Sequence, residues 1–307
     1  FYPPFLEMLD YIYDQGFTHI HSATPGPLGL AALLIARVLG LPISGTYHTA
    51  LPEYAMTLTG DPAMEELMWK GMILYYGEMD KVFVPSEEYG AQLQAKGLPA
   101  HKLHVFPRGV DIARFSPDWR NGFFKRYQLN GRLKLLYVGR VSKEKNMPLL
   151  EKVFKKLNAH PSLGRGVDLV VVGDGPYREE MERNLAGTSC VFTGTLQGKD
   201  LAQAYASSDL FVFPSTTDTF GRVVLEAQAS GLPVLVTDKG GPKENLLPGE
   251  TGLIVQANDA EAMTQAALSL LTRPQSLRDM GLNARRYTEA RTMETAFART
   301  WEMMIHG

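Results

Sequence analysis

The sequence predicts an α/β protein of two doubly wound domains, and three observations carry that prediction. At 307 residues the chain is long for one domain. Short β-rich runs alternate with helical stretches across Gly, Pro and Ser turns, the pattern of parallel sheets wrapped by helices. After a turn-rich segment holding Pro107, Gly109 and Pro117, the alternation starts again.

In the first half, the runs at 18–21, 43–47, 81–84 and 103–106 are short and rich in β-branched or aromatic residues, which predicts strands. Apolar stretches at 28–39 and 64–78 are long enough for helices between them. In the second half, strands are expected at 134–138, 168–172, 191–192, 210–213, 233–236 and 252–254. Helices are expected at 147–157, 177–185, 200–206 and 260–271, with closing helices near 277–288 and 292–305. The second series makes a complete doubly wound complement, whereas four strands leave the first incomplete. The domains are therefore set at 1–118 and 119–288, with a terminal helix within 289–307 whose plain reading is a helix docked on the second domain.

Bulk properties narrow the partners. Hydrophobic residues make up 45% and charged ones 21%, ordinary for a protein with proper cores. A net charge of -2, from 31 basic and 33 acidic residues, gives no general pull toward nucleic acid. The single cysteine, Cys190, excludes an internal disulfide and reads as a buried strand thiol. The most apolar segment, 28–43, is broken by Arg37, Gly40 and Pro42, too short for a membrane span. The chain opens at Phe1 without a methionine, so its amino terminus is expected to be a cut.

Open parallel sheets bind ligands at the carboxyl ends of their strands, and two loops there carry chemistry. The first, Ser215 to Ala227, leads from an apolar strand into a helix. Asp218 or Thr219 is placed to cap that helix, and Gly221 lets another group approach the backbone. The helix start is a seat for phosphate. If Phe220 begins the helix, Glu226 lies about 9 Å along its axis. Carboxylates flanking an anion seat suit a ligand with hydroxyls at both ends and phosphates between, as in a sugar nucleotide. The plain alternative is a capping aspartate and a solvent-facing glutamate. The second loop, Tyr137 to Asn146, carries Arg140 and Lys145, a cation pair suited to a leaving diphosphate.

Other features weigh less. His19 and His21 share a strand face, but no Cys, Asp or Glu set completes a metal site. The apolar residues of 64–79 could meet a lipid surface, although they surround the helix and fit packing better.

The spacing of Gly139-Arg140…Lys145-Asn146, Gly173-Asp174-Gly175-Pro176, Phe192-Thr193-Gly194, Asp218-x7-Glu226 and Gly240-Gly241-Pro242-x-Glu244 resembles the family 4 retaining glycosyltransferases (group 1) over nearly the whole chain. Tyr47-His48-Thr49-x-x-Pro52-x-Tyr54 resembles the mannosyltransferase-like members. The resemblance implies the GT-B architecture, two facing Rossmann-like doubly wound domains, here with the first truncated at its amino terminus and the terminal helix, 289–307, crossing back to it. It implies a nucleotide sugar donor, GDP-mannose first and a UDP-hexose next, and no metal. The acceptor could be a glycan, a lipid or a small molecule. Arg140 and Lys145 would hold the diphosphate, Glu226 the ribose, and Asp218, which stands where the family has glutamate, the transferred sugar. Gly139 and the backbone at Phe220, Gly221 and Arg222 would meet sugar and phosphate. Gly194 would lie near the base, and His48 would face the sugar. A cytoplasmic location is expected, with peripheral contact at the inner face of the membrane as an option.

Rival readings are a sugar-nucleotide epimerase of the same fold and a non-catalytic nucleotide-sugar-binding fragment. A dinucleotide oxidoreductase is disfavoured because Gly173-Asp174-Gly175-Pro176-Tyr177-Arg178 lacks the third glycine of its fingerprint. With the first domain incomplete, donor binding without efficient turnover is expected.

Overall fold

The computed structural model describes residues 3–48, 50–129, 132–164 and 166–305, apart from the side chains of Tyr54, Thr57, Leu58 and Ile305. Phe1, Thr49 and the Tyr54 side chain, all singled out in the sequence, lie outside the described residues. The chain forms two compact units, Phe1–Pro107 with Thr300–Gly307, and Arg108–Arg299.

The first unit runs α1 (Phe5–Asp14), β1 (Ile20–Ser22), α2 (Pro27–Leu39), β2 (Ile43–Thr46), α3 (Leu51–Thr59), α4 (Pro62–Gly77), β3 (Lys81–Val84), α5 (Glu87–Ala95) and β4 (Leu103–Val105). Its four strands are parallel, in the order β1-β2-β3-β4. All three crossovers step the same way across the sheet, and right-handed connections then lay their helices on one face. There Ile35, Trp69, Met72, Tyr76 and Leu93 pack with Ile20, Ile43, Val82 and Val84 of the strands. The other face sets polar side chains around Phe83, which is fully buried with its ring 6.1 Å from that of His21. His19 Nε2 and His21 Nδ1 lie 2.9 and 2.8 Å from Ser44 Oγ, and His21 Nε2 lies 3.0 Å from Thr46 Oγ1. The two imidazoles thus share a face, as their spacing implied, and both are taken up by hydroxyls. Lys81 on this face donates to the carbonyls of Met303, at 2.7 Å, and Met304, at 3.2 Å.

The second unit holds β5 (Leu133–Val138), α6 (Met147–Asn158), β6 (Val167–Val172), α7 (Arg178–Asn184), β7 (Cys190–Gly194), α8 (Gly198–Ala206), β8 (Leu210–Phe213), α9 (Arg222–Ala229), β9 (Val234–Thr237), β10 (Gly252–Val255), α10 (Ala260–Leu271) and α11 (Pro274–Glu289). The last helix, α12 (Met293–Ile305), begins here and ends among residues of the first unit. The sheet order is β10-β9-β8-β5-β6-β7, all parallel. From β5 the chain winds one way through β6 and β7, and from β8 the other way through β9 and β10. The reversal opens a crevice between the carboxyl ends of β5 and β8, where such sheets take ligands. Strands β5, β6, β8 and β9 are buried on both faces, as helices on each side require.

Every strand expected from the sequence is present within two residues of its bounds. The helix expected at 64–78 is α4, which buries Trp69, Met72, Tyr75 and Tyr76 in the core and leaves Leu67 and Leu74 exposed. Cys190 lies on β7, half-buried, and burial pushes its thiol well above the usual range.

Candidate donor site

The two loops that carried the sequence argument leave the sheet on either side of the switch point. After β5, Gly139 and Arg140 lead into a single 3-10 turn, Lys143–Lys145, and Asn146 in the left-handed region starts α6. After β8, residues 214–221 form the entry to α9. Lys145 Nζ reaches across to Asp218 Oδ2 at 2.7 Å, and Ser215 Oγ donates to the same oxygen at 2.8 Å. Both side chains of this pair are mostly buried, at 21% and 26% exposure. Arg140 is exposed, with Nε 3.7 Å from Glu144 Oε1.

Two details of the expected geometry are corrected. Asp218 does not cap α9, and Thr219 does not either. Gly221 occupies the cap position at φ 73°, and it has no side chain with which to bond the first amides. A capping oxygen must sit directly before the helix, and the left-handed turn at Gly221 delays the helix to Arg222. Phe220 therefore lies outside the helix, and Glu226 is about 6 Å along the axis from its first residue. The uncapped first turn presents the positive end of the helix dipole toward the crevice.

Glu226 is not a solvent-facing helix residue. It is half-buried, and the fully buried Tyr205 donates to Oε2 at 2.9 Å. Burial pushes its carboxyl above the usual range, against the opposing pull of the Tyr205 hydroxyl, Arg222 and Arg114. Beyond β6 and β7, Val138, Arg140, Asp174, Thr195 and Leu196 line a recess of about 280 Å³, with Gly139 and Gly173 in its floor. Gly194 ends β7 beside it, bonding its carbonyl to the Gly173 amide at 2.9 Å.

The second unit thus gathers Gly139, Arg140, Lys145, Gly194, Asp218, Phe220, Gly221, Arg222 and Glu226 at the carboxyl ends of its strands. His48 belongs to the first unit, just after β2, where burial lowers its pKa. Sequence reasoning missed Tyr205 and Ser215 as partners of the two carboxylates. Ser215 stood inside the motif and could have been found, but nothing local marks Tyr205. Among the described residues, no group of three or more His, Cys, Asp or Glu side chains could hold a metal.

A doubly wound unit with cations, an uncapped helix start and a half-buried carboxylate around its switch point is a nucleotide-binding domain in form. The model of "Glycosyl transferases group 1" matches residues 120–287, and that of "Glycosyltransferase Family 4" matches 1–114. The chain belongs to this glycosyltransferase family, and its fold is GT-B. It is 36% identical over 278 residues to the sulfoquinovosyl transferase SQD2 of Arabidopsis thaliana, covering 88% of this chain and 53% of that one. It is also 36% identical over 243 residues to a GDP-mannose-dependent alpha-mannosyltransferase of Mycobacterium tuberculosis, covering 79% and 61%. The chain therefore spans between half and two thirds of these curated relatives. Among solved structures, Anabaena Alr3699/HepE in complex with UDP and glucose superposes with a TM-score of 0.81 at 18% identity, over 99% of this chain and 82% of that one.

Proposed function

We propose that this chain carries the donor site of a retaining glycosyltransferase that moves a hexosyl group from a nucleoside diphosphate sugar to an acceptor. The observation that carries the reading is Lys145, with Arg140 on the same loop, set beside the uncapped start of α9 at the switch point. Charge develops on the diphosphate as the sugar departs, and fixed cations with a helix terminus stabilise it where it forms. That task needs no metal. The Glu226 carboxylate, held by Tyr205, would accept from the ribose hydroxyls. Asp218 steadies Lys145 with one oxygen, and its second is the candidate contact for a sugar hydroxyl. With no enzymic nucleophile assigned, the acceptor would attack on the face the diphosphate leaves, which retains configuration.

Mannose from GDP-mannose is the first donor to test, because named relatives are GDP-mannose-dependent. A UDP-hexose is second. A lipid or glycan acceptor is favoured by relatives whose names carry monoglucosyldiacylglycerol and phosphatidylinositol monomannoside. Among the described residues no helix is long and apolar enough to cross a membrane. A cytoplasmic location is the reading to test, with peripheral contact at the inner face of the membrane as the option that the diacylglycerol-named relative supports. Because the chain spans 53% to 61% of those first relatives, a second reading, donor binding without efficient transfer by these 307 residues, stays beside the first.

Thermal melts against GDP, UDP, ADP and their sugar conjugates, with and without EDTA and with Glu226→Ala, test the site. A ligand at a hundred times its Kd stabilises by about 2.7 kcal/mol. The expected result is a rise of several degrees with one base, unchanged by EDTA and lost in the variant. No rise with any nucleotide refutes the donor site, and loss of the rise in EDTA refutes its metal independence.

A further inference from the structure

We propose that Arg108 is a positioning residue that holds the donor seat in shape without touching the donor, an inference that rests on the donor-site reading above. Arg108 opens the second unit and its side chain is only 10% exposed. Its guanidinium donates to Asn245 Oδ1 at 2.6 Å, to the Gly241 carbonyl at 3.2 Å and to Glu244 Oε2 at 2.8 Å. It also lies 5.3 Å from the centroid of the Phe220 ring. Asn245 passes this grip on. Its Nδ2 donates to the carbonyls of Phe220, at 2.5 Å, and Gly221, at 3.2 Å. Its own carbonyl accepts from Gln228 Nε2 at 2.6 Å. The Gly241 amide donates to the Asp218 carbonyl at 2.9 Å.

These bonds fix a direction. In a trans peptide the C=O and the following N–H point opposite ways. Drawing the Phe220 and Gly221 carbonyls back onto Asn245 turns the Gly221 and Arg222 amides the other way, to the side of the uncapped α9 start. Arg108 is suited to hold the 241–245 segment because a planar fork serves several acceptors and a ring at once. Glu244 balances its charge, so its part is geometry and not phosphate attraction.

The test compares Arg108→Met and Arg108→Lys with Arg285→Met. Arg285 clasps the carbonyls of Ile112, Phe115 and Ala229 in the same unit, with no bond to the α9 entry, and so reports a merely structural arginine. Calorimetric titration with UDP, GDP, UMP and GMP gives the ratio of monophosphate to diphosphate Kd, which isolates what the seat adds for the second phosphate. Arg108→Met is expected to shrink that ratio about tenfold, the effect of roughly one lost charge-assisted hydrogen bond. Arg108→Lys should fall between it and the parent chain. Arg285→Met should lower the melting temperature and leave the ratio unchanged. If Arg108→Met does not fold, Arg108→Lys decides. An unchanged ratio in the variant read, or an equal loss in Arg285→Met, overturns the inference while the donor site stands. Failure of the parent chain to bind any of the four nucleotides overturns both.

Discussion

At Glu226, the burial of a carboxylate proposed to take the ribose hydroxyls works against folding. Its pKa is raised, by burial first, so the native state holds the proton more tightly than the unfolded chain does. Stability then falls as pH rises from the ordinary carboxylate value through the raised one. Glu226→Gln removes that charge and still accepts from Tyr205. We expect its melting temperature to exceed the parent's by about 2 °C or more at pH 7, and the gain to fade as pH falls toward 4.5. Nucleoside diphosphate binding should weaken at the same time. No gain at neutral pH would mean that Tyr205, Arg222 and Arg114 offset the burial completely. The sequence displayed this residue and Arg140, Lys145 and Asp218 through their spacing from strand ends. It could not display who holds them. Tyr205 lies 21 residues from Glu226, and Lys145 lies 73 from Asp218, so those pairs exist only once the sheet is wound.

Among the elements, strands were legible because runs such as Val167–Val172 are buried on both faces and must be apolar throughout. Helices with polar surfaces were harder. α5, which carries Glu87, Glu88, Gln92 and Gln94, was not among the expected helices, and its start is marked instead by Ser86, whose Oγ accepts from the Tyr89 amide at 3.2 Å. The start of α9 was misjudged because two candidate caps preceded a glycine. The glycine prevailed because the entry to α9 packs against residues 240–242 at backbone contact. A Cβ on Gly241 would sit 2.0 Å from the Thr219 carbonyl oxygen, so one of the two backbones must move. Gly198 is the useful contrast, left-handed at φ +53° but with nothing within 4 Å of its Cβ. Alanine at 198 should cost only its backbone conformation, about 1 kcal/mol, and leave nucleotide binding alone. Gly241→Ala should lower the urea midpoint further and, on the proposed donor site, also weaken UDP or GDP binding, because the displaced backbone at Thr219 and Phe220 leads into the proposed seat. Equal affinities in the two variants would separate the 240–242 contact from the site.

Considered whole, the chain joins two units with unequal means of staying folded. The second buries a six-stranded sheet between helices on both faces, with one extended core. The first has four short strands with their crossover helices on one face, and His19, His21, Ser44, Lys81 and the buried Phe83 on the other. A smaller sheet and a smaller core leave less surface buried. Urea unfolding should therefore show two transitions, the first unit going earlier. Acid should separate them further. His19, His21, His48 and His104 all have lowered pKa values, mainly through burial, so the unfolded state takes up protons that the native state refuses. Stability is then lost as pH falls below about 6.5, and all four residues belong to the first unit. Nucleotide should do the reverse: the residues assigned to the diphosphate and ribose are in the second unit, so saturating UDP or GDP should move the later transition alone. Fluorescence and circular dichroism followed through urea, at pH 7 and 5.5, with and without nucleotide, would display all of this. If a single transition moved as one with both acid and nucleotide, the units would be one cooperative body, and residues of the first would have to be counted as part of the donor site's stability.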